Sequence, residues 1–146
     1  MGGRRIERMR ILEVKQVVEI RNYTPADEKN LFDMMREEGA EWESYWGEAG
    51  VKKYKAALSQ CIVFVAYEED ELCGFARCRS DGGFGVYIYD LLVRKQKRGK
   101  NIGRGLMDKV CETFPFDVVY VMSDVDVYYE KQGYHREGSI FIVKRS

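Results

Sequence analysis

The chain reads Val93-Arg94-Lys95-Gln96-Lys97-Arg98-Gly99-Lys100-Asn101-Ile102-Gly103-Arg104-Gly105-Leu106-Met107 between a strand-like run and a helix-like run. Six of these residues are basic and none is acidic. Glycines let backbone N–H groups approach an anion closely, and the first turn of a helix leaves N–H donors without intrahelical partners. The segment therefore predicts a strand-to-helix turn that cradles a diphosphate or a similar anion, with little repulsion from neighbouring carboxylates.

Length and charge limit the classes of protein that fit around this turn. The 146 residues suit one domain with a real core, and a net charge of zero argues against a general nucleic-acid-binding protein. The apolar runs Cys61–Tyr67 and Val118–Met122 are too short to span a bilayer, and the N-terminus lacks the apolar region of a signal peptide. We therefore expect a cytoplasmic protein without membrane or nucleic-acid partners. A single domain over residues 16–146 would follow an N-terminal extension over residues 1–15.

The cysteines and the single histidine offer little to a metal or to a histidine-based triad. Four cysteines are irregularly spaced without a Cys-x-x-Cys pair, and His135 is the one histidine. Structural zinc sites and nucleophilic triads need several such groups at defined spacing. We expect reduced, buried thiols and no metal site.

The segments before the turn predict a strand, two helices and three strands. Val17–Arg21 has the pattern of a first strand, and Asp27 is placed to cap a helix. A second helical stretch is predicted from about Glu41 to Ser59. The following strands are predicted at Cys61–Tyr67, Leu72–Cys78 and Phe84–Val93, the first two of them as a hairpin.

The segments after the turn predict a helix, a strand, a short helix and a last strand. Apolar residues recur at four-residue spacing from Ile102 to Phe114, which is typical of one buried helix face. The fully apolar run Val118–Met122 indicates an internal strand, and it is compatible with a parallel partner. A short helix is predicted to end at Gly133, and Ile140–Val143 is predicted to form the last strand.

This order and three local motifs resemble the GNAT superfamily of N-acetyltransferases from about Val17 onward. The family's cofactor motif, Gln/Arg-x-x-Gly-x-Gly/Ala, aligns with Arg98–Gly103 and is followed by a matching helix start. Asn101 departs from the motif because the family prefers glycine there. Asn is the non-glycine residue that best tolerates positive φ, so we expect the turn to keep its shape. The resemblance implies that acetyl-CoA binds as co-substrate, with its diphosphate on Arg98, Gly99, Lys100, Asn101, Ile102, Gly103 and Arg104.

The strand before the turn is similar to the family's fourth strand. In relatives the backbone at the C-terminal end of this strand bonds the pantetheine arm and the acetyl group. The resemblance assigns this role to the main chain of Leu91, Leu92 and Val93. Such binding resembles the addition of a further strand, and a backbone N–H can polarise the thioester carbonyl.

The segment Tyr128-Tyr129-Glu130-Lys131-Gln132-Gly133-Tyr134 is similar to the family's Phe-Tyr-x-Lys-x-Gly-Phe motif. In relatives the second aromatic residue lies near the coenzyme sulfur and protonates the leaving thiolate. The resemblance assigns this role to Tyr129, while Tyr128 and Tyr134 are expected to pack. A phenol, with an unperturbed pKa of about 10, is protonated at neutral pH and can donate.

The catalytic base stays open at this point. Many relatives have a glutamate where this chain has Tyr89, so the fourth strand carries Asp90 as its one carboxylate. Asp90 could deprotonate the amine, directly or through water, or it could accept hydrogen bonds from backbone groups in a structural role. The base could also come from the helical region or from solvent.

An acidic, aromatic segment precedes the second strand. Residues 27–48 hold eight acidic and two basic residues together with Trp42, Tyr45 and Trp46. In the family the corresponding helices line the acceptor side, where such a wall would suit a cationic amine through charge and cation–π contacts. The alternative is a solvated helix face with buried aromatic residues.

Together these patterns predict a mixed α/β fold with a mostly antiparallel sheet of six to seven strands and about four helices. The implied reaction moves an acetyl group from acetyl-CoA to a primary amine of a small molecule or peptide, by direct attack in a ternary complex. The alternative is a non-catalytic acyl-CoA-binding sensor or regulatory module. The presence of Tyr89 where many relatives have a glutamate favours this alternative. A homodimer could form through pairing of the strand Ile140–Val143 between subunits.

Overall fold

The computed structural model describes residues 17–145, which form five strands and five α-helices. The strands are β1 (Val18–Asn22), β2 (Ile62–Glu68), β3 (Glu71–Ser80), β4 (Val86–Val93) and β5 (Val119–Val121). The helices are α1 (Glu28–Glu38), α2 (Glu43–Trp46), α3 (Val51–Gln60), α4 (Ile102–Thr113) and α5 (Asp126–Lys131). Short 3₁₀ turns lie at Pro25–Asp27, Ala40–Trp42 and Lys95–Lys97. No helix in this part of the chain combines the length and apolarity that a membrane crossing requires.

The described strands form one sheet in the order β1-β2-β3-β4-β5. The first three pairings are antiparallel, and β4 pairs with β5 in parallel. One face of the sheet buries Phe75 and Leu92 against α1 and α3. The other face buries Ala76 and Ile88 against α4. Since both faces are covered, β2 and β3 are buried over most of their length.

The parallel pair β4 and β5 separates midway along β4. Only Val86–Ile88 pair with Val119–Val121, and the Met122 N–H donates a further bond, of 3.0 Å, to the Ile88 carbonyl. β4 continues to Val93, whereas the chain after Met122 turns away into α5. The C-terminal half of β4 therefore has no strand partner on its β5 side within residues 17–145, and a cleft opens there.

A β-bulge lies just after the last β4 residue that pairs with β5. Arg77 of β3 pairs with Asp90, but the next β3 residue, Cys78, pairs with Ile88, so Tyr89 is the extra residue on β4. A bulge re-aims the side chains on either side of it. Asp90 consequently lies on the same face as Leu92, the one covered by α1 and α3, and it pairs with Arg77 of β3.

The last strand predicted from the sequence is absent from the described residues. Ile140–Val143 lies outside helices and strands, and its side chains are 67–97% exposed. The prediction of six to seven strands was therefore wrong, since the sheet within residues 17–145 has five. Residues of high strand propensity stabilise a strand by packing against neighbours on a pleated sheet, and these exposed side chains have no such neighbours. The predicted N-terminal extension, residues 1–15, lies outside the described residues.

Two further element predictions need correction. β5 is parallel to β4 as the apolar pattern allowed, but it lies at the sheet edge and is half-buried, so the internal position was wrong. The helix predicted from Glu41 to Ser59 is interrupted between α2 and α3. A Cβ atom at Gly50 would lie 1.7 Å from the Ser44 carbonyl oxygen, so this close approach requires glycine.

The thiols are only partly as predicted. All four cysteines are free, and Cys73 and Cys78 are buried in strand β3. Cys61 is half-buried and Cys111 is exposed on α4, so the prediction of buried thiols was wrong for these two. The pattern around Cys111 was apolar, but its own position on the helix faces outward.

Candidate active site

A groove of about 530 Å³ follows the cleft between β4 and α5. Its floor is the unpaired end of β4, one end is the basic turn with the start of α4, and the opposite walls come from α5 and from the 3₁₀ turn after α1. Nine residues predicted for the site line it: Leu91, Leu92, Val93, Arg98, Gly99, Asn101, Ile102, Gly103 and Tyr129. Three others, Asp90, Lys100 and Arg104, are not part of its lining.

The basic turn has the backbone that an anion cradle requires. Gly99 has φ +81°, and Asn101 is left-handed with φ 63° and ψ 20°, as the sequence predicted for an asparagine in this place. The first bond within α4 runs from the Gly105 N–H to the Asn101 carbonyl at 2.9 Å. The N–H groups of the preceding helical residues therefore lie at the open, positive end of the helix. This end faces the groove and suits a diphosphate.

Two cations of the turn, Arg94 and Lys97, are paired with carboxylates from other parts of the fold. Arg94 pairs with Glu37 of α1, and its Nε atom donates to the Leu72 carbonyl at 3.1 Å. The Lys97 ammonium lies 3.4 Å from the carboxylate of Glu68 and 3.5 Å from that of Glu71. The turn itself lacks acidic residues, but the fold brings carboxylates to it from α1 and from the β2–β3 hairpin. Each of these carboxylates is paired with a basic side chain of the turn, and the little repulsion expected for an anionic ligand stays a prediction.

Arg98 and Arg104 are also engaged within the protein. The Arg98 guanidinium contacts the Glu38 carboxylate at 2.6 Å and donates to the Val93 carbonyl at 2.9 Å. Arg104 lies 3.6 Å from the Asp108 carboxylate and bonds the Gln132 carbonyl at 3.3 Å. Arg98 thus links α1 to the end of β4, directly at the groove.

Tyr129 lies on α5 where the groove meets the apolar cluster packed between the sheet and α4. Its ring packs against that cluster and is stacked on Tyr134, with 6.5 Å between ring centroids. Burial, followed by the negative charge of Asp124, raises the pKa of Tyr129 to about 12. The phenol is therefore protonated over the whole neutral range.

Tyr128 was expected to pack, yet its hydroxyl reaches the start of α4. A Cβ atom at Gly103 would lie only 2.5 Å from the Tyr128 hydroxyl oxygen, and the Tyr128 side chain lines the groove. Sequence spacing could not have found this contact, because the rotation of a six-residue helix decides which of two adjacent tyrosines faces the cradle. Gly103 therefore accommodates a side chain of the protein itself.

Asp90 is buried in a polar network beneath the helices. Its carboxylate is 4% exposed and accepts hydrogen bonds from Arg77 Nε at 2.5 Å, from the Tyr54 hydroxyl at 2.8 Å and from the Tyr45 hydroxyl at 3.2 Å. Burial alone would lower the pKa of Arg77, but its bond to Asp90 and the negative charge there raise it well above the ordinary value. Burial raises the pKa of Tyr54 strongly. The network joins β3 and β4 to α2 and α3.

Comparison with known proteins identifies the family to which this arrangement belongs. The family described as "Acetyltransferase (GNAT) domain" matches residues 59–136, more than half of the chain. The chain belongs to the GNAT acetyltransferase family. The matched range runs from the end of α3 through α5, so it contains the separated strands, the cradle and Tyr129.

Individual relatives are more distant. The chain is similar to an uncharacterised N-acetyltransferase, ycf52, from Porphyra purpurea, with 28% identity over 102 residues. This match covers 63% of the chain but only 59% of the length of the relative. Among solved structures, a GNAT family protein from Streptococcus pneumoniae matches with a TM-score of 0.69 and 19% identity, over 88% of this chain and 100% of the other.

An aminoglycoside N-acetyltransferase in complex with CoA, AAC(6')-Iy, matches with a TM-score of 0.70 and 14% identity. The match covers 92% of this chain and 99% of that one. At these identities the likeness shows a shared fold. The GNAT fold predicted from the order of elements is thereby confirmed, although the strand count differs.

Few residues of the acidic segment contribute to the helical wall of the groove in this GNAT domain. Of residues 27–48, only Glu38, Glu41 and Trp42 line the groove. The other aromatic residues have structural roles, since Tyr45 bonds Asp90 and the Trp46 indole N–H donates to the Gly39 carbonyl at 3.2 Å. On the opposite wall lies Asp124, in the loop after β5, which sequence patterns did not predict as a site residue.

Proposed function

We propose that the protein transfers an acetyl group from acetyl-CoA to a primary amine by direct attack in a ternary complex. The observation that carries this proposal is the separation of β4 from β5 beside a glycine-containing turn that ends in a helix N-terminus. An extended amide chain and a diphosphate both find suitable partners there, and they are joined in coenzyme A. Membership of the GNAT family supports the same conclusion.

The coenzyme would bind mainly through backbone groups. The unpaired edge of Leu91–Val93 offers N–H and C=O groups to the pantetheine amides, as a neighbouring strand would. The left-handed Asn101 and the N-terminal end of α4 direct N–H groups at the diphosphate. A backbone N–H of β4 would polarise the thioester carbonyl and stabilise the oxyanion that forms during attack.

Aligning the amine and the thioester in one groove supplies much of the rate, because it converts a bimolecular encounter into an intramolecular one. Tyr129 would protonate the leaving thiolate. Its position in the groove lining and its protonated phenol support this role. Asp90 is better suited to a structural role, since it is buried and accepts three hydrogen bonds outside the groove lining.

Replacing Tyr129 with phenylalanine tests the acid. We expect Tyr129→Phe to lower kcat by about a hundredfold, a typical effect for loss of a general acid, and to spare the affinity for acetyl-CoA. Thiol release measures the first quantity and calorimetry the second. Tyr134→Phe is the matched control, because Tyr134 stacks on Tyr129 but lies outside the groove lining. An unchanged kcat in Tyr129→Phe would contradict the assignment.

The function itself is tested by following thiol release from acetyl-CoA with a panel of amines. The panel contains 1,4-diaminobutane, n-butylamine, an aminoglycoside, free amino acids and a peptide with a free N-terminus. Turnover of at least one amine is the expected result. Binding of acetyl-CoA without turnover of any amine would favour the second candidate, an acyl-CoA-binding module.

One structural observation favours that second candidate. Tyr89, at the position where many relatives have a glutamate, is the extra residue of the β4 bulge and is 39% exposed. A chain without a base on this strand takes its base from elsewhere in the fold or from solvent, or does not catalyse. The cytoplasmic location and the homodimer stay predictions.

A further inference from the structure

The charges that line the groove are unevenly paired. Both of its cations are neutralised within the protein, Lys97 by Glu68 and Arg98 by Glu38. Two carboxylates of the lining, Glu41 and Asp124, form no ion pair with any group in residues 17–145. The groove therefore carries a surplus of negative charge away from the cradle, which favours a cationic occupant.

Asp124 lies where the separated strands begin to diverge. Met122, two residues earlier, makes the bond to Ile88 that ends the contact between β4 and β5. Two residues of chain reach at most about 7 Å, so Asp124 stays close to this point. The carboxylate and the unpaired edge of Leu91–Val93 thus stand on the two sides of the same cleft. A group held by Asp124 would lie beside the end of β4, where the thioester is proposed to bind, and close to Tyr129, whose pKa is raised by burial and then by the charge of Asp124.

Glu41 lies on the opposite wall, in the 3₁₀ turn after α1, next to Trp42. Both side chains line the groove. A carboxylate beside an indole ring is a favourable environment for an ammonium group, through charge and cation–π attraction. The groove thus offers two separate places for positive charge, one by the reacting end of the coenzyme and one on the helical wall.

We propose that the acceptor is an amine with at least two cationic groups. Its reacting nitrogen is bound as an ammonium by Asp124 and loses one proton to water before its lone pair attacks, and its second cation is bound by Glu41. The proposal rests on the proposed function and names its substrate class. Asp124 is then the residue that selects and positions the reacting amine. Glu41 distinguishes diamines from monoamines.

The experiment compares 1,4-diaminobutane with n-butylamine, which share the reacting end and differ in the second cation. We expect wild-type protein to use the diamine with the higher kcat/KM. Asp124→Asn should lower kcat/KM for both amines by about tenfold, the size of a lost hydrogen bond to a charged group. Glu41→Gln should lower it for the diamine and leave the monoamine unchanged.

Two controls separate binding of the amine from general damage. Glu130→Gln removes one negative charge from the exposed side of α5 outside the groove and should leave both amines unchanged. Coenzyme affinity, measured by calorimetry, should be the same in all variants, because both carboxylates lie apart from the cradle. Asp124→Glu should restore part of the activity that Asp124→Asn loses.

The proposal would be overturned if Asp124→Asn kept the wild-type kcat/KM, or if it lost coenzyme affinity or the fold in parallel with activity. It would also be overturned if the wild type used both amines equally or acted only on amines without a second cation. These outcomes leave the proposed function intact. A wild-type protein that binds acetyl-CoA but acts on no amine of the panel would overturn both proposals together.

Discussion

Gly103 and Tyr128 meet at the first turn of α4, and this contact sets what the cradle tolerates. The Tyr128 hydroxyl occupies the space where any side chain at position 103 would begin. The nearest ring carbon is 3.6 Å from that place, which is ordinary van der Waals contact. The requirement for glycine thus comes from one oxygen atom of the protein, in addition to any ligand.

We expect Gly103→Ala to destabilise the fold by about 1 kcal/mol, the lower end for overpacking, because the Tyr128 side chain must move. Tyr128→Phe removes the obstructing oxygen, and in the Gly103→Ala background it should restore most of the lost stability. Denaturant unfolding of the two single variants and the double variant measures this coupling. Additive effects of the two substitutions on the free energy of unfolding would show that the side chains at positions 103 and 128 do not touch.

The backbone conformation of Asn101 could be predicted from the sequence alone. The αL conformation of Asn101 follows from its place in the motif and from the preference of asparagine among non-glycine residues, and the structure confirms it. The partners of Arg98 and Lys97 could not be predicted in this way. Their carboxylates, Glu38 and Glu68, are distant in sequence and reach the turn only through the packing of α1 and β2.

At the scale of elements, the C-terminal end of α1 is tied to the basic turn. Glu37 and Glu38, consecutive residues of α1, bind Arg94 and Arg98 respectively. The Glu38 side chain is 10% exposed and the Arg98 side chain 49%, so the pair lies at the groove surface. A diphosphate in the cradle would compete with Glu38 for this guanidinium.

We therefore expect Glu38→Gln to bind coenzyme A about threefold more tightly, because it removes a competitor worth roughly 0.2–1 kcal/mol. Calorimetric titration with coenzyme A measures the change. Glu37→Gln is the control, since the Arg94 partner of Glu37 is not part of the groove lining. Unchanged or weaker binding in Glu38→Gln would show that Arg98 is not a ligand of the diphosphate.

Among the contacts that hold the whole fold together, Asp27 ties β1 to β2 at one end of the sheet order. Its carboxylate is buried and accepts bonds from Arg21 of β1 at 2.8 and 2.9 Å, from the Thr24 N–H at 2.8 Å and from the Tyr67 hydroxyl of β2 at 2.8 Å. The bond from Arg21 is the largest cause that holds the pKa of Asp27 well below the ordinary value, against the effect of burial.

A depressed pKa in the folded state means that Asp27 stabilises the fold above the unfolded-state pKa of about 3.9, and that this contribution is lost as the pH falls below it. We expect Asp27→Asn to lower the free energy of unfolding by about 1.5–3 kcal/mol at neutral pH. The difference from wild type should shrink under acid. Urea unfolding at neutral and acid pH tests this, and a difference independent of pH would contradict it.

The local chemistry of this protein could be predicted from its sequence: the strand, the left-handed turn and the helix N-terminus that together form the proposed anion cradle. Those features depend on residues adjacent in the chain, whose backbone preferences and hydrogen-bonding groups act locally. The burial of Asp90 beside Arg77, the contact between Tyr128 and Gly103 and the shared groove of Asp124 and Glu41 depend on how the packed fold brings distant segments together. These contacts join segments far apart in sequence, and their geometry exists only once the helices and the sheet have packed.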